Sequence, residues 1–205
     1  AVVANILSKT STDATVDVAA TGASAAELTT LSTNIAKVDS ITGLTVTNAQ
    51  STAEIGNLLG KATDALVTAT TMDAADLAAV ADNAAKISAN GVTGSFTVTS
   101  ALSASQIDAL LGKTIADADA ANVVTVDTTG FSAAQLSAVE DNIAKVDDIN
   151  NLGITSSQSA AEITALLGKA AGNDAAVDAS GMSTAQIVAV DGAKATIVAG
   201  GITNL

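Results

Sequence analysis

The chain contains no cysteine, no histidine and no proline. Disulfides are therefore excluded, and so are thiolate or imidazole metal sites. Arginine, tryptophan and tyrosine are also missing, and the aromatic content is two phenylalanines, Phe96 and Phe131. Any core has to be built from Ala, Val, Leu and Ile, whose small side chains let backbones approach closely in thin, regular layers. Positive charge is scarce: 8 lysines stand against 21 acidic residues, for a formal net charge of −13. A nucleic-acid partner is close to excluded, because phosphate recognition needs a basic footprint. An anionic membrane surface is disfavoured for the same reason. No uninterrupted apolar run reaches the roughly 18 residues of a membrane span, so no membrane insertion is expected. Residues 1–10 lack the basic start and apolar centre of a secretion signal.

What is present in quantity is repetition. Gly22 to Val38, GASAAELTTLSTNIAKV, returns 108 residues later as Gly130 to Val146, GFSAAQLSAVEDNIAKV, and QSTAEIGNLLGKA at Gln50 returns as QSAAEITALLGKA at Gln158. Self-similarity of this kind marks a repeat architecture. Long and short repeats alternate. Helices of about four turns are predicted after Ser24, Asp73, Ser132 and Ser183, and helices of about three turns after Ser51, Ser103 and Ser159. All seven positions begin a capping box, in which the cap side chain takes a first-turn amide and the side chain three residues on returns the bond. The pairs are Ser24/Glu27, Ser51/Glu54, Asp73/Asp76, Ser103/Gln106, Ser132/Gln135, Ser159/Glu162 and Ser183/Gln186. Asp73/Asp76 is a variant, since Asp reaches back less well than Glu. An apolar residue follows each cap by four positions, and Met72, Leu102, Phe131 and Met182 precede four of the caps as hydrophobic staples.

A β-type run precedes each cap, at 15–19, 44–48, 66–70, 96–100, 124–128, 152–156 and 175–179. Alternation turns Val18, Val46, Val67, Val98, Val126, Ile154 and Val177 to the core. The other face carries Asp17, Thr45, Thr47, Thr68, Thr97, Thr99, Thr125, Asp127, Thr155 and Asp178. A strand followed by a helix in each repeat implies parallel strands and right-handed crossovers. The expected fold is an α/β solenoid of alternating long and short strand-turn-helix coils, one parallel sheet with helices on the opposite side. Because strands stack about 4.8 Å apart and helices about 8–10 Å, such an array curves with its helices outside. Chain 1–205 reads as a single repeat array. A helix remnant (1–10) opens it. Coils follow at about 13–41, 42–62, 63–89, 90–114, 115–149, 150–170 and 171–199, with a partial strand at 200–205. In plan this resembles leucine-rich-repeat proteins, without their asparagine ladder or LxxLxL strand. The Ala/Thr/Asp-rich composition, free of His and Cys, resembles the long repeat regions of giant surface proteins of marine bacteria, cyanobacteria included.

Several residue groups suggest chemistry. Leu110 to Thr114, LLGKT, is similar to the end of a phosphate-binding loop, but Ile107 stands where that loop has glycine. A helix C-cap, with the glycine left-handed and the lysine facing the helix end, accounts better for it and for LLGKA at 58–62 and 166–170. Asp117 and Asp119 in IADADAAN, and Asp174 beside Asn173, are candidate oxygen ligands for Ca²⁺, although neither the EF-hand nor the nonapeptide calcium spacing is present. No other cofactor is expected. Thr45/Thr47 and Thr97/Thr99 fit the Thr-x-Thr rows of an ice-binding face, which Leu66, Asp127, Gly153 and Ala176 interrupt. Catalysis is not expected, since only Asp, Glu, Lys, Ser and Thr are at hand to supply it. The expectation is a non-enzymatic structural module of a large extracellular or cell-surface assembly, able to stack head-to-tail on neighbouring repeats or copies of itself. The alternative is an adhesion or ligand-binding module that uses the Thr/Asp face for protein, glycan, Ca²⁺ or ice.

Overall fold

Six of the seven predicted caps act as reciprocal boxes in the computed structural model, which describes residues 16–116, 121–172 and 174–205. At Ser51 the hydroxyl accepts the Glu54 amide (3.4 Å) while the Glu54 carboxylate accepts the Ser51 amide at 2.8 Å. Ser24, Ser132, Ser159 and Ser183 repeat that geometry, and so does Ser103 with Gln106. Asp73 is the exception. Its carboxylate takes the Asp76 amide at 2.9 Å, but Asp76 spends its own carboxylate on the Thr52 hydroxyl in the preceding repeat.

These caps open the seven α-helices among the described residues: α1 (Ala25–Thr33), α2 (Thr52–Lys61), α3 (Ala74–Asp82), α4 (Ala104–Lys113), α5 (Ala133–Asp141), α6 (Ala160–Leu167) and α7 (Thr184–Gly192). The four-turn helices expected in the long repeats do not form. Each stops after nine residues and continues as a separate 3₁₀ turn. In three of them an asparagine makes the break. Asn34, Asn83 and Asn142 donate their side-chain amides to the carbonyl four residues back, at 2.9–3.0 Å. This side-chain bond competes with the backbone ladder and ends it. The short repeats end differently from expectation too. Gly168 caps α6 at φ −65, and Gly60 lies inside α2. LLGK at 110–113 is the last turn of α4, and Lys113 donates to the Ile87 carbonyl (2.8 Å) of the preceding repeat.

The strands are β1 (Val16–Ala19), β2 (Val38–Thr42), β3 (Thr45–Thr47), β4 (Ala62–Thr63), β5 (Ala65–Thr68), β6 (Ile87–Thr93), β7 (Phe96–Val98), β8 (Val124–Asp127), β9 (Asp148–Asn150), β10 (Gly153–Ile154), β11 (Ala175–Asp178) and β12 (Ile197–Thr203). All ladders among the described residues are parallel, and the fold is mixed α/β. The seven expected strands are present as β1, β3, β5, β7, β8, β10 and β11. Five more, β2, β4, β6, β9 and β12, follow the helices. Among the described residues one continuous sheet does not form. The strands make four separate three-stranded sheets, β1-β2-β4, β3-β5-β6, β7-β8-β9 and β10-β11-β12. Left-handed residues divide the extended segments: Gly43 between β2 and β3, Asp64 between β4 and β5, Asn151 between β9 and β10. A reversal of φ rotates the ladder groups away, so the next strand starts a new sheet.

The chain forms two compact bodies, one of residues up to Ser95 with 112–116, the other of Phe96–Leu111 and residues from 117 onwards. In each body the inward strand residues meet the helix stripe. Val46, Val67, Ile55, Leu58, Leu59 and Leu77 are fully buried in the first, and Val98, Val126, Ile107, Leu110 and Ile163 in the second. The helices are too short to persist alone, and this burial fixes them. Val18 and Ile187, which the pattern also assigns to the core, are only half-buried.

Candidate interaction face

Each body presents its own sheet surface. Asp17, Thr45, Thr47 and Thr68 belong to the first body; Thr97, Thr99, Thr125, Asp127, Thr155 and Asp178 belong to the second. All ten are exposed or half-buried, as the alternation requires. In the first body Thr45 pairs with Leu66 and Thr47 with Thr68, so an exposed leucine sits beside the threonine row. In the second, Thr97 pairs with Thr125 and Thr125 with Asp148. A Thr-Thr row is thus two strands wide before an acid replaces it.

Many of these polar groups are already engaged with neighbours in the same body. The Ser40 hydroxyl donates to Asp17 at 2.6 Å. Thr47 and Thr155 accept the amides of Ala49 and Ser157, two residues on, and so shape the turn into the next cap. Their own amides donate to the Gln50 and Gln158 side chains at 2.9 Å, and both glutamines are buried.

Asp127 Oδ1 accepts the Asn151 side chain (3.0 Å), the Thr129 hydroxyl (2.8 Å) and the Thr129 amide (3.1 Å). Asp178 Oδ1 accepts the Asn204 side chain (2.9 Å) and the Ser180 amide (3.0 Å). These donors hold both carboxyls below the usual carboxylate range, the asparagine bond contributing most in each case. These links were not predicted, since only the folded register brings residues 24 and 26 apart in sequence together.

Of the calcium candidates, Asp117 and Asp119 lie outside the described residues. Asp174 accepts the Asn151 amide on Oδ2 at 2.8 Å, and its Oδ1 is buried with no hydrogen-bond partner. Among the described residues no group of three or more acidic side chains is placed to hold a metal ion. No helix among them is long and apolar enough to cross a membrane.

The second body also carries an open concavity of about 700 Å³, bounded by Thr129, Phe131, Ile154, Ala176, Asp178 and Gly201. Its outward strand positions are Gly153 and Ala176 where other strands have threonine, which leaves the surface hollow. The ionised Asp178 and nearby hydroxyls supply hydrogen-bonding groups at its edge, and the rest of the lining is largely apolar. Comparison of the chain with protein-family models, curated proteins and solved structures finds no match.

Proposed function

We propose that the chain is a structural repeat module, a solenoid-type stack of long and short coils, belonging to a large extracellular or cell-surface assembly. What supports the reading is the way the third residue of several caps is used twice. Gln135 closes its own box through Oε1 and donates Nε2 to the Leu102 carbonyl (2.7 Å) and the Ser100 carbonyl (3.3 Å) of the preceding repeat. Gln186 does the same to the Gln158 and Ser156 carbonyls. Asp76 accepts the Thr52 hydroxyl of the preceding repeat, and the Thr29 and Ser137 hydroxyls of the preceding repeat help hold the Glu54 and Glu162 carboxyls below their usual range. A device that joins a repeat to the one before it serves extension of an array, and repeat stability is a sum of such neighbour terms. The acidic surface favours solubility of a long array. The resemblance to bacterial surface-protein repeats points to the outside of the cell. Antibodies raised against the chain should label intact cells of the source organism. Labelling that appears only after permeabilisation overturns the extracellular assignment.

The concavity of the second body favours a second reading, adhesion through the Thr/Asp face. A glycan array and a pull-down separate the two. A saturable ligand whose binding is lost in Asp178→Ala or Ala176→Lys supports adhesion, and no ligand leaves the structural reading.

A further inference from the structure

We infer that the hollow of the second body is a binding site for a primary alkylammonium group. The inference deepens the adhesion reading of that hollow and rests on it. The hollow comes from side chains lost along one row of a sheet. In the first body that row runs from Thr45 to its pair Leu66, then to the bulge of β6, which lies between the pairings of Ile87 and Val92 and carries Asn90. In the second body the same row runs from Gly153 to its pair Ala176, then to the bulge of β12, which carries Gly200. Each replacement removes side-chain volume, and Gly153, Ala176 and Gly200 are all exposed. The concavity of about 700 Å³ that they line falls within the roughly 300–1,000 Å³ of ligand sites.

The polar groups of the lining decide what it can hold. Its threonine hydroxyls give their protons to the protein itself: Thr128 to the Asn151 carbonyl (2.8 Å), Thr129 to Asp127 (2.8 Å), Thr155 to the Gln158 side chain (3.3 Å) and Thr203 to the Val177 carbonyl (3.4 Å). The Asn151 side chain is turned to Asp127 as well. What these side chains chiefly leave to a ligand is acceptor lone pairs. Asp178 adds a carboxylate. It accepts the Asn204 side chain and the amide and hydroxyl of Ser180, and a carboxylate has roughly four acceptor positions. No lysine is among the described residues that line the hollow. An ammonium group complements such a surface, since it brings donors, no acceptor and a positive charge. An anion would meet Asp178 with no cation beside it. Phe131 and Ala176 offer apolar surface to the alkyl chain, as they would to the stem of a lysine.

Titration with n-butylammonium, followed through the amide shifts of the isotopically labelled chain by NMR, is the test. Saturable shifts centred on Gly153, Ala176 and Gly200 are expected, and n-butanol or butanoate at equal concentration should give much smaller ones. Asp178→Asn keeps the shape and should weaken the amine roughly threefold, the scale of an exposed charge pair, while leaving butanol unchanged. Ala176→Leu restores the leucine of the first body and should remove the shifts, with the rest of the spectrum in place. A capped glycine-lysine-glycine peptide separates the sources of the group. Its binding assigns the hollow to a partner's lysine side chain, and binding of butylammonium alone assigns it to a free amine. Equal response to butanol overturns the charge selection, and unchanged amine binding in Ala176→Leu overturns the place. Absence of amine shifts overturns the site. If a partner from the glycan array or pull-down nonetheless loses binding in Asp178→Ala, the adhesion reading outlives it.

Discussion

The first and second bodies solve one local problem with two different residue sets. Four matching positions carry a left-handed residue where the chain leaves its pairing with a long-repeat strand: Gly43 and Gly94 in the first body, Asn151 and Asn204 in the second. The residue on the partner strand changes with them. It is Ala19 and Thr68 opposite the glycine sites, and Asp127 and Asp178 opposite the asparagine sites. The hydroxyl two residues further on explains the linkage. At Gly43 the Thr21 hydroxyl occupies the space a Cβ would need, and at Gly94 the Thr70 hydroxyl does so. In the second body Asp127 draws the Thr129 hydroxyl to itself and accepts the asparagine amide with the same oxygen. Small residue with glycine, or Asp with asparagine, is each self-consistent, and a mixture is not.

The largest expected effect comes from making that mixture. Gly43→Asn should cost about 1–3 kcal/mol, since its Cβ must displace Thr21 from a packed position. Adding Ala19→Asp should recover at least half of the loss by turning the hydroxyl aside and binding the new amide. Contacting residues in one hydrogen-bond network couple by roughly 0.5–3 kcal/mol. Thermal melts of the two single variants and the double variant measure it. Additive losses would show that the paired substitution is coincidence.

A slightly smaller effect should follow from interchanging the two kinds of cap. Gln135→Glu replaces an amide that donates to Leu102 and Ser100 with a carboxylate pressed against two carbonyls. The site is buried, so about 1–3 kcal/mol should be lost. Glu162→Gln keeps the acceptor the box uses and forfeits only the charge assistance of a largely exposed pair, so its loss at pH 7 should be well below that of Gln135→Glu. Equal losses in the two variants would mean that Gln135 does not join the repeats.

Much of this was legible beforehand, and the illegible part is non-local. Ser-x-x-Glu and Ser-x-x-Gln carry their own explanation within four residues, so the caps and the helix starts could be read directly. The threonine and aspartate face followed from alternation alone. The five strands after the helices could not be read in the same way. ISANGVT has an Asn-Gly in its middle and pairs only because β5 lies beside it, with the extra residues absorbed in a bulge. The division into four sheets depends on φ at single residues, Asp64 and Asn151 among them, that look like ordinary loop positions. At the face, alternation makes Thr47 and Thr155 open surface, yet their hydroxyls accept turn amides.

A stabilising change sharpens the comparison from the other direction. The residue two before each long-repeat cap is left-handed: Gly22, Gly130 and Gly181 follow the rule, but Thr71 has φ 60. A β-branched residue there costs roughly 1–2 kcal/mol, and the Asn48 amide bonded to its hydroxyl offsets part of it. Thr71→Gly should therefore raise stability by up to about 1 kcal/mol, allowing for the greater freedom of glycine in the unfolded chain. A lower melting temperature would mean that the Asn48 bond outweighs the backbone strain.

The smallest effect is the dependence on pH, and it separates the glutamate caps from the glutamine caps. In Glu54 and Glu162 the cap amides of Ser51 and Ser159 hold the carboxyl below its usual range. Neighbouring hydroxyls add to the effect. A depressed folded pKa means that the unfolded chain binds more protons near pH 4, so stability rises with pH there. The contribution is complete above the ordinary glutamate value of about 4.3 and is lost as pH falls through the lower folded value. The melting temperature should stay level from neutrality down to about pH 5 and then decline. Glu54→Gln with Glu162→Gln removes both titrations while keeping a box that Ser132 and Gln135 already build, so the decline should become shallower. It should not vanish, because Glu27, Asp127 and Asp178 are depressed as well. Superimposable acid limbs for the native chain and the double variant would show that the glutamate caps carry no proton linkage.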